Sequence, residues 1–357
     1  MTQPIPMSQP IPQRTPQRTP ERTTARLTSS PQDIARAAEI LRLGGTVAFP
    51  TETVYGLGAN ALDASAVERI FQAKDRPHWD PLIVHVSNRA MLDEVATVSA
   101  KAERLLEAFW PGPLTLLLPR TKKISDAVTA GRPLVGVRMP AHPLAHALLE
   151  AAGVPLAAPS ANRFGRISPT TAAHVLEDLN HRIDAILDGG ATTVGVESTV
   201  LDPNQTPMIL YRPGAITAAM LQPIAGPVTL YQPPQQTPSE PQSLPSPGVG
   251  IRHYAPRAQL ILVDSESDLQ SQLVATQATA NNLIGVMLPQ GWAIPNTSLE
   301  VFPWNSIEDP TALAQTLFAG LRDLDARGVA IILCPMPKPE GLGLAIRDRL
   351  KKAAKSK

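Results

Sequence analysis

Residues 30–60 read SPQDIARAAEILRLGGTVAFPTETVYGLGAN. Ser30 followed by Pro31 and Asp33 marks a helix start: the serine hydroxyl can accept from exposed first-turn N–H groups, and proline at the first helical position lacks the N–H that would go unpaired. DIARAAEILRL (33–43) then carries an apolar stripe at helical spacing, and Gly44-Gly45 stops it. TVAFP (46–50) follows directly as a strand whose end opens into the loop TETVYGLGAN (51–60). A helix that feeds straight into a strand points to an α/β fold.

Outward from that segment the alternation continues. Helices are predicted in SAVERIFQAK (65–74), KAERLLEAFW (101–110), Pro143 to Ala151, and a Ser168-capped helix through TTAAHVLEDL (170–179). Strands are predicted in LIVHV (82–86), LTLLLP (114–119), LVGVRMP (134–140), VPLAAPS (154–160), DAILD (184–188), STVLD (198–202) and MILYR (208–212). Short connections after LTLLLP and STVLD favour antiparallel neighbours, so the sheet is read as mixed. From residue 257 near-continuous apolar strands (QLILVD, NLIGVMLP, VAIILCP) alternate with helices, the pattern of a small parallel Rossmann-like sheet. No G-x-G-x-x-G follows its first strand, so it carries no dinucleotide fingerprint.

The chain has 357 residues, 32 basic against 31 acidic groups, and 43% apolar residues, which fits two packed domains and gives no net-charge handle for nucleic acid. Proline is the excess: 38 residues, about twice average usage. One block lies in residues 1–30, whose QPIP and QRTP near-repeats place arginine at 14, 18, 22 and 26; it reads as a disordered basic tail, inert and solvated in preference to one that makes weak contacts with tRNA or double-stranded RNA. A second block, residues 223–256, reads as a linker. The predicted organisation is therefore tail 1–30, first domain 31–222, linker 223–256 and second domain 257–352. Cys334 is the only cysteine, which excludes disulfides and multi-thiolate zinc sites. With no apolar run long enough to span a bilayer and no secretory h-region, the reading is a cytoplasmic protein with no membrane partner.

Neither a Walker loop nor a G-x-S-x-G elbow is present. His142 and His146 have metal-ligand spacing on a helix but no third ligand nearby, and packing roles suit them better. What remains is a set of polar groups at predicted strand ends. Lys74 and Arg76 project from a loop stiffened by Pro77 and Pro81; alone they fit a solvated loop better than an anion site. Arg138 ends LVGVR, Arg212 ends MILYR, Ser160 and Asn162 sit in PSAN, and Glu197, Ser198 and Thr199 head another strand. Together they describe a cavity for a phosphorylated or carboxylated ligand.

These same segments resemble, in order and spacing, the YrdC/Sua5 family of threonylcarbamoyl-AMP synthases: FPTETVYGLGANA, KDRPHWDPLIVH, WPGPLTLLL, VRMPAHP, APSAN, and STVLD followed by LYRPG. SPGVGIRHYAP and the domain after it resemble the linker motif and C-terminal domain of the longer Sua5 type. The resemblance implies a YrdC-like twisted mixed-sheet domain followed by the Rossmann-like one. It implies synthesis of threonylcarbamoyl-AMP and pyrophosphate from L-threonine, bicarbonate and ATP, with Mg²⁺, feeding the tRNA threonylcarbamoyl transferase machinery that forms N6-threonylcarbamoyladenosine at tRNA position 37. It further implies a threonine pocket of Thr53, His85, Arg138, Ala158 and Ser198. The ATP side comprises Lys74, Arg76, Asp80, Leu134, Ser160, Asn162, Ser168, Arg212 and, from the linker acting as a lid, Tyr254; Lys74 and Arg76 take the catalytic role. Two positions depart from the family pattern: Asp75 stands where glycine is usual and Asp80 where asparagine is usual. Both are expected to add negative charge beside the triphosphate, compensated by Mg²⁺ or Lys74. A different reading of the basic surface is a double-stranded RNA-binding module without catalysis; a net charge of +1 and 4% aromatics run against it.

Overall fold

In a computed structural model, which describes residues 23–232, 245–246, 253–279, 283–294 and 299–355, Ser30 caps the first helix as its position predicts, its Oγ accepting from the Asp33 N–H at 3.2 Å. The first domain runs β1 (Ala25–Leu27), α1 (Pro31–Arg42), β2 (Val47–Phe49), β3 (Gly56–Asn60), α2 (Ala64–Lys74), β4 (Ile83–His85), α3 (Arg89–Val95), α4 (Ala100–Phe109), β5 (Leu114–Pro119), α5 (Asp126–Thr129), β6 (Leu134–Arg138), α6 (Pro143–Ala152), β7 (Leu156–Ala157), α7 (Ala172–Leu179), β8 (Ala185–Leu187), β9 (Thr199–Asp202), β10 (Met208–Arg212), α8 (Ala218–Ala225) and β11 (Val228–Leu230). The second contains β12 (Gln259–Val263), α9 (Glu266–Thr279), β13 (Ile284–Pro289), β14 (Glu300–Trp304), α10 (Pro310–Ala326), β15 (Ile331–Pro335) and α11 (Gly341–Ala353).

The first sheet has the order β1-β8-β2-β3-β7-β4-β6-β5-β9-β10-β11, and it is mixed as the short connections predict: β5–β6 and β9–β10 are antiparallel, β4–β6 and β5–β9 parallel. The second, β12-β15-β13-β14, is parallel throughout. Its chain order leaves Cys334 on β15 in the middle of the sheet, fully buried, which is the core role its apolar run suggests.

Four local expectations are corrected. GLGAN is not loop: it returns as β3, antiparallel to β2, because Gly58 leaves room for the Phe49 ring, whose Cε1 would stand 2.8 Å from a Cβ there. Ser168 does not cap α7; Thr171 does, its side chain accepting from the His174 N–H, while the Ser168 hydroxyl is turned to Glu197. The tail does not extend to residue 30, since β1 pairs in parallel with β8 and buries Leu27; residues 1–22, with their arginine repeats, lie outside the described residues. Nor does the linker begin at 223: Pro223 lies inside α8, and β11 adds to the sheet edge beside β10. Residues 233–244 and 247–252 of that linker also lie outside the described residues.

The two domains share a core. Val54, Ile167 and Val196 of the first pack in one cluster with Tyr254 of the linker and Leu313, Leu317 and Phe318 of the second. Gly195 shows how close the approach is: its φ is +81°, and a Cβ there would collide with the Ala314 carbonyl of α10.

Candidate active site

One cavity lies where strand ends of the first sheet meet the linker segment that precedes β12. Its walls include Thr51, Thr53 and Gly56 after β2, His85 at the end of β4, Arg138 at the end of β6, Ala158 and Ser160 after β7, Glu197 and Ser198 before β9, and Arg212 at the end of β10. Arg76, Pro81, His253 and Tyr254 complete it. Strand ends are where loops can direct side chains at a ligand without disturbing the ladder, which is why a site collects there.

Three guanidinium groups converge on this space and each is at least 91% buried, Arg138 at 4%, Arg212 at 5% and Arg76 at 9% exposure. Arg138 donates from Nη1 to Thr53 Oγ1 (2.8 Å) and from Nε to the Gly112 carbonyl (3.2 Å), and its Nη2 lies 2.6 Å from Glu52 Oε1. Burial pushes the Glu52 carboxyl up, but the Arg138 charge prevails and holds it below the usual glutamate value. Arg76 is fixed by the Asp80 and Pro81 carbonyls (3.2 and 2.9 Å) and forms an ion pair with the Asp80 carboxylate at 2.9 Å. Arg212 donates to the Ser198 carbonyl (2.9 Å) and hydroxyl (3.1 Å), and among the described residues no carboxylate lies within ion-pair distance of it. The Ser198 hydroxyl in turn shares a hydrogen bond with Thr115 Oγ1 (2.8 Å). Glu197 and Asp348 act on Arg212 only from beyond contact, and a buried cation with no carboxylate in contact is costly unless a ligand supplies a closer anion.

The histidines are neutral. His85 is wholly buried beside Arg138, and burial first, then that charge, takes its pKa down to about 3; His253, buried among Arg76, Lys352 and Lys74, also falls to about 3. His253 Nε2 stands 3.8 Å from Asp80, and its ring packs edge-on against Phe164. Tyr254 follows with φ +65°, a left-handed backbone that non-glycine residues adopt at a cost of about 1–3 kcal/mol when neighbours impose it. Here the neighbours are Phe318, stacked at 5.7 Å, and Arg349, lying over the ring at 5.7 Å.

The other expected residues sit elsewhere. Lys74 does not line the cavity: its ammonium is buried and donates to the Ser160 carbonyl (2.5 Å) and to the Asn162 carbonyl, tying the end of α2 to the PSAN loop. Burial, then the Arg76 charge, depresses its pKa well below the ordinary lysine value. Asn162 braces the same loop through the Arg163 and Arg166 carbonyls (2.8 and 2.9 Å). Ser168 donates to Glu197 (2.5 Å), and Leu134 lies at the start of β6 opposite Pro119, away from the cavity. Asp80 is fully buried behind Arg76, and burial raises its pKa against the pull of Arg76, Lys74 and Arg212. Its counter-charge is thus Arg76, not Lys74. Asp75 caps α2 at φ +52°, the conformation that makes glycine usual there, and its carboxylate turns outward to Arg163 (2.5 Å) and Arg182 (3.1 Å). It adds no charge to the cavity.

Sequence reasoning missed Glu52, His253 and Arg349. Glu52 stands between two threonines already singled out, and nothing in TET says which way its carboxylate turns. His253 adjoins Tyr254 and could have been taken with it. Arg349 lies 152 residues from the Glu197 it contacts, a separation that no local pattern bridges. His142 caps α6 and His146 meets the Ser87 carbonyl, so the packing reading of that pair holds; among the described residues no group of three or more His, Cys, Asp or Glu could hold a metal.

Fold and cavity together define a two-domain α/β protein with a cationic site at strand ends, walled on one side by a segment that the second domain holds in place. The comparisons narrow that class. A family model described as telomere recombination, the Sua5/YciO/YrdC domain, matches residues 39–214, and one described as the threonylcarbamoyl-AMP synthase C-terminal domain matches 216–355. The chain belongs to the Sua5/YciO/YrdC family. It is 41% identical to the threonylcarbamoyl-AMP synthase of Pyrococcus abyssi over 323 residues, covering 89% of this chain and 93% of that one. It is also 41% identical to that of Bacillus subtilis over 329 residues, 92% and 94% covered. Among solved structures it resembles that of P. abyssi Sua5 complexed with L-threonine, with a TM-score of 0.85, 40% identity and coverage of 93% and 97%.

Proposed function

We propose that this chain is an L-threonylcarbamoyladenylate synthase, joining L-threonine, bicarbonate and ATP into threonylcarbamoyl-AMP and pyrophosphate. The observation that carries this reading is the convergence of three buried guanidinium groups on one cavity, with Arg212 left short of a carboxylate. Arg138 and Arg76 already have Glu52 and Asp80 beside them, and threonine brings a carboxylate and ATP a polyphosphate to a cavity whose third guanidinium has no carboxylate in contact among the described residues. Arg138 with Thr53 suits the amino-acid carboxylate, because a planar fork binds it with two parallel hydrogen bonds. Ala158 and the neutral His85 imidazole form the adjoining wall. Arg76, Arg212 and the Ser160 segment face the phosphates, and Tyr254 roofs the nucleotide.

In the reaction the amine of threonine, unprotonated, adds to the bicarbonate carbon and water leaves, giving a carbamate. A carbamate oxygen then attacks the α-phosphorus of ATP and the bond to the β-phosphate oxygen breaks, releasing pyrophosphate. The substrate thus provides its own nucleophile, and the work of the protein is to hold two anions in line and spread the developing charge over Arg76 and Arg212. Lys74 serves this indirectly by fixing Ser160. Asp80 is ion-paired with Arg76 and Glu197 with Arg349, so Mg²⁺ would be held by the phosphates themselves. The product is a mixed anhydride, and a roof that excludes water protects it until it passes to the machinery that modifies tRNA.

Incubating the protein with threonine, bicarbonate, ATP and Mg²⁺ and detecting threonylcarbamoyl adenylate by mass tests the proposal. Product that requires all four components is the expected result. Steeply salt-dependent double-stranded RNA binding with no adenylate would replace it by the binding-module reading.

A further inference from the structure

Arg349 of α11 is among the largest fully buried side chains of the described residues, and it reaches out of the second domain to the wall of the cavity. Its Nε donates to Glu197 Oε2 (2.8 Å), its Nη1 to the Pro213 carbonyl (2.7 Å), and its Nη2 to the Glu197 carbonyl (3.2 Å). The remaining face of the guanidinium covers the Tyr254 ring at 5.7 Å. Each contact abuts a cavity residue. Glu197 lines the cavity and precedes Ser198; Pro213 follows Arg212; Tyr254 forms the roof. Asp348 Oδ2, at 2.9 Å from Nη1, and Glu197 balance the buried charge: burial works against the cation, but its neighbours outweigh burial and hold the Arg349 pKa above the usual arginine value.

We propose that Arg349 is a positioning residue, through which the second domain sets the spacing of the two strand ends that carry Ser198 and Arg212 and the angle of Tyr254 above them. This rests on the site assignment made above. One planar group with five donors can bind two backbone carbonyls and a carboxylate at once, which a lysine ammonium on a flexible stem cannot match in geometry. The placement gives the second domain a part in the site without lending it a group that touches substrate. Helix α11 is set by its own core, where Ile346 and Leu350 are fully buried, so the guanidinium is aimed by a rigid element.

The test compares Arg349→Met, Arg349→Lys and Leu273→Ala in the full chain by melting temperature and by initial-rate kinetics of threonine-dependent pyrophosphate release. Leu273→Ala weakens the second domain from a core cluster that holds neither Arg349 nor any residue of the cavity wall, so it reports domain stability alone. The expected result is that both Arg349 variants, assayed well below their melting temperatures, raise KM for threonine and for ATP by about tenfold or more while Leu273→Ala leaves both unchanged. Combining Arg349→Met with Glu197→Gln should then add little, because Arg349→Met already removes the pair with Glu197. Arg349 variants that only melt earlier, with KM values like those of Leu273→Ala, overturn the proposal. Should Arg349→Met not fold, the Arg349→Lys values decide by the same criterion. Arg138→Gln separates the two levels: a raised threonine KM there with none in the Arg349 variants overturns the positioning role alone, and no change in either removes the site assignment with it.

Discussion

At Arg138, Glu52 does what a bound anion would do, placing a carboxylate oxygen 2.6 Å from a guanidinium that is 4% exposed. Removing one partner of a buried pair strands the other, so Glu52→Ala should cost about 3–5 kcal/mol of folding stability, read from urea denaturation. The histidines give a pH signature. Both His85 and His253 titrate near 3 in the folded chain against 6.5 unfolded, so between those values the unfolded state binds more protons. Stability should therefore fall as pH drops below about 6.5, by up to about 1.4 kcal/mol per pH unit for each histidine. Urea midpoints at pH 7 and pH 5 check this, and His253→Phe should flatten the dependence.

At the scale of elements, the helix cap separates sequence pattern from structure. Thr171→Ala should destabilise by about 1 kcal/mol, because Thr171 caps α7. Thermal unfolding of that variant is the check. Ser168-Pro169 looks like a helix start because serine before proline is the commoner signal, yet the chain needs that serine against Glu197 and begins the helix three residues later. The same limit explains the other local differences. Apolar periodicity revealed the long strands and helices, and short antiparallel connections revealed a mixed sheet. GLGAN was opaque since Gly58 is there to admit Phe49, a fact about the opposite strand. The strand β1 was opaque because three residues of edge pairing leave no periodicity. In the site, the guanidinium groups at strand ends were legible because charge is out of place beside an apolar run. Their partners Glu52 and Arg349 were not, being fixed by tertiary contacts.

Across the whole molecule, the docking of the two domains is part of the site. Gly195→Ala forces a side chain into the α10 backbone at a left-handed φ, and should destabilise by about 2 kcal/mol or more while making the junction accessible to limited proteolysis. The edge of the large sheet matters as well. Deleting residues through 29 removes β1 and the buried Leu27, and should lower the melting temperature by several degrees relative to a chain that begins at residue 23. The central claim is that buried arginines in this cavity bind the anionic groups of two substrates. Its most direct test is the initial rate of threonine-dependent pyrophosphate release by Arg212→Gln against the unchanged chain, with ATP varied at saturating threonine. A loss of about a hundredfold or more in kcat/KM for ATP, with the fold intact by circular dichroism, is the predicted result. An unaltered kcat/KM for ATP would contradict it.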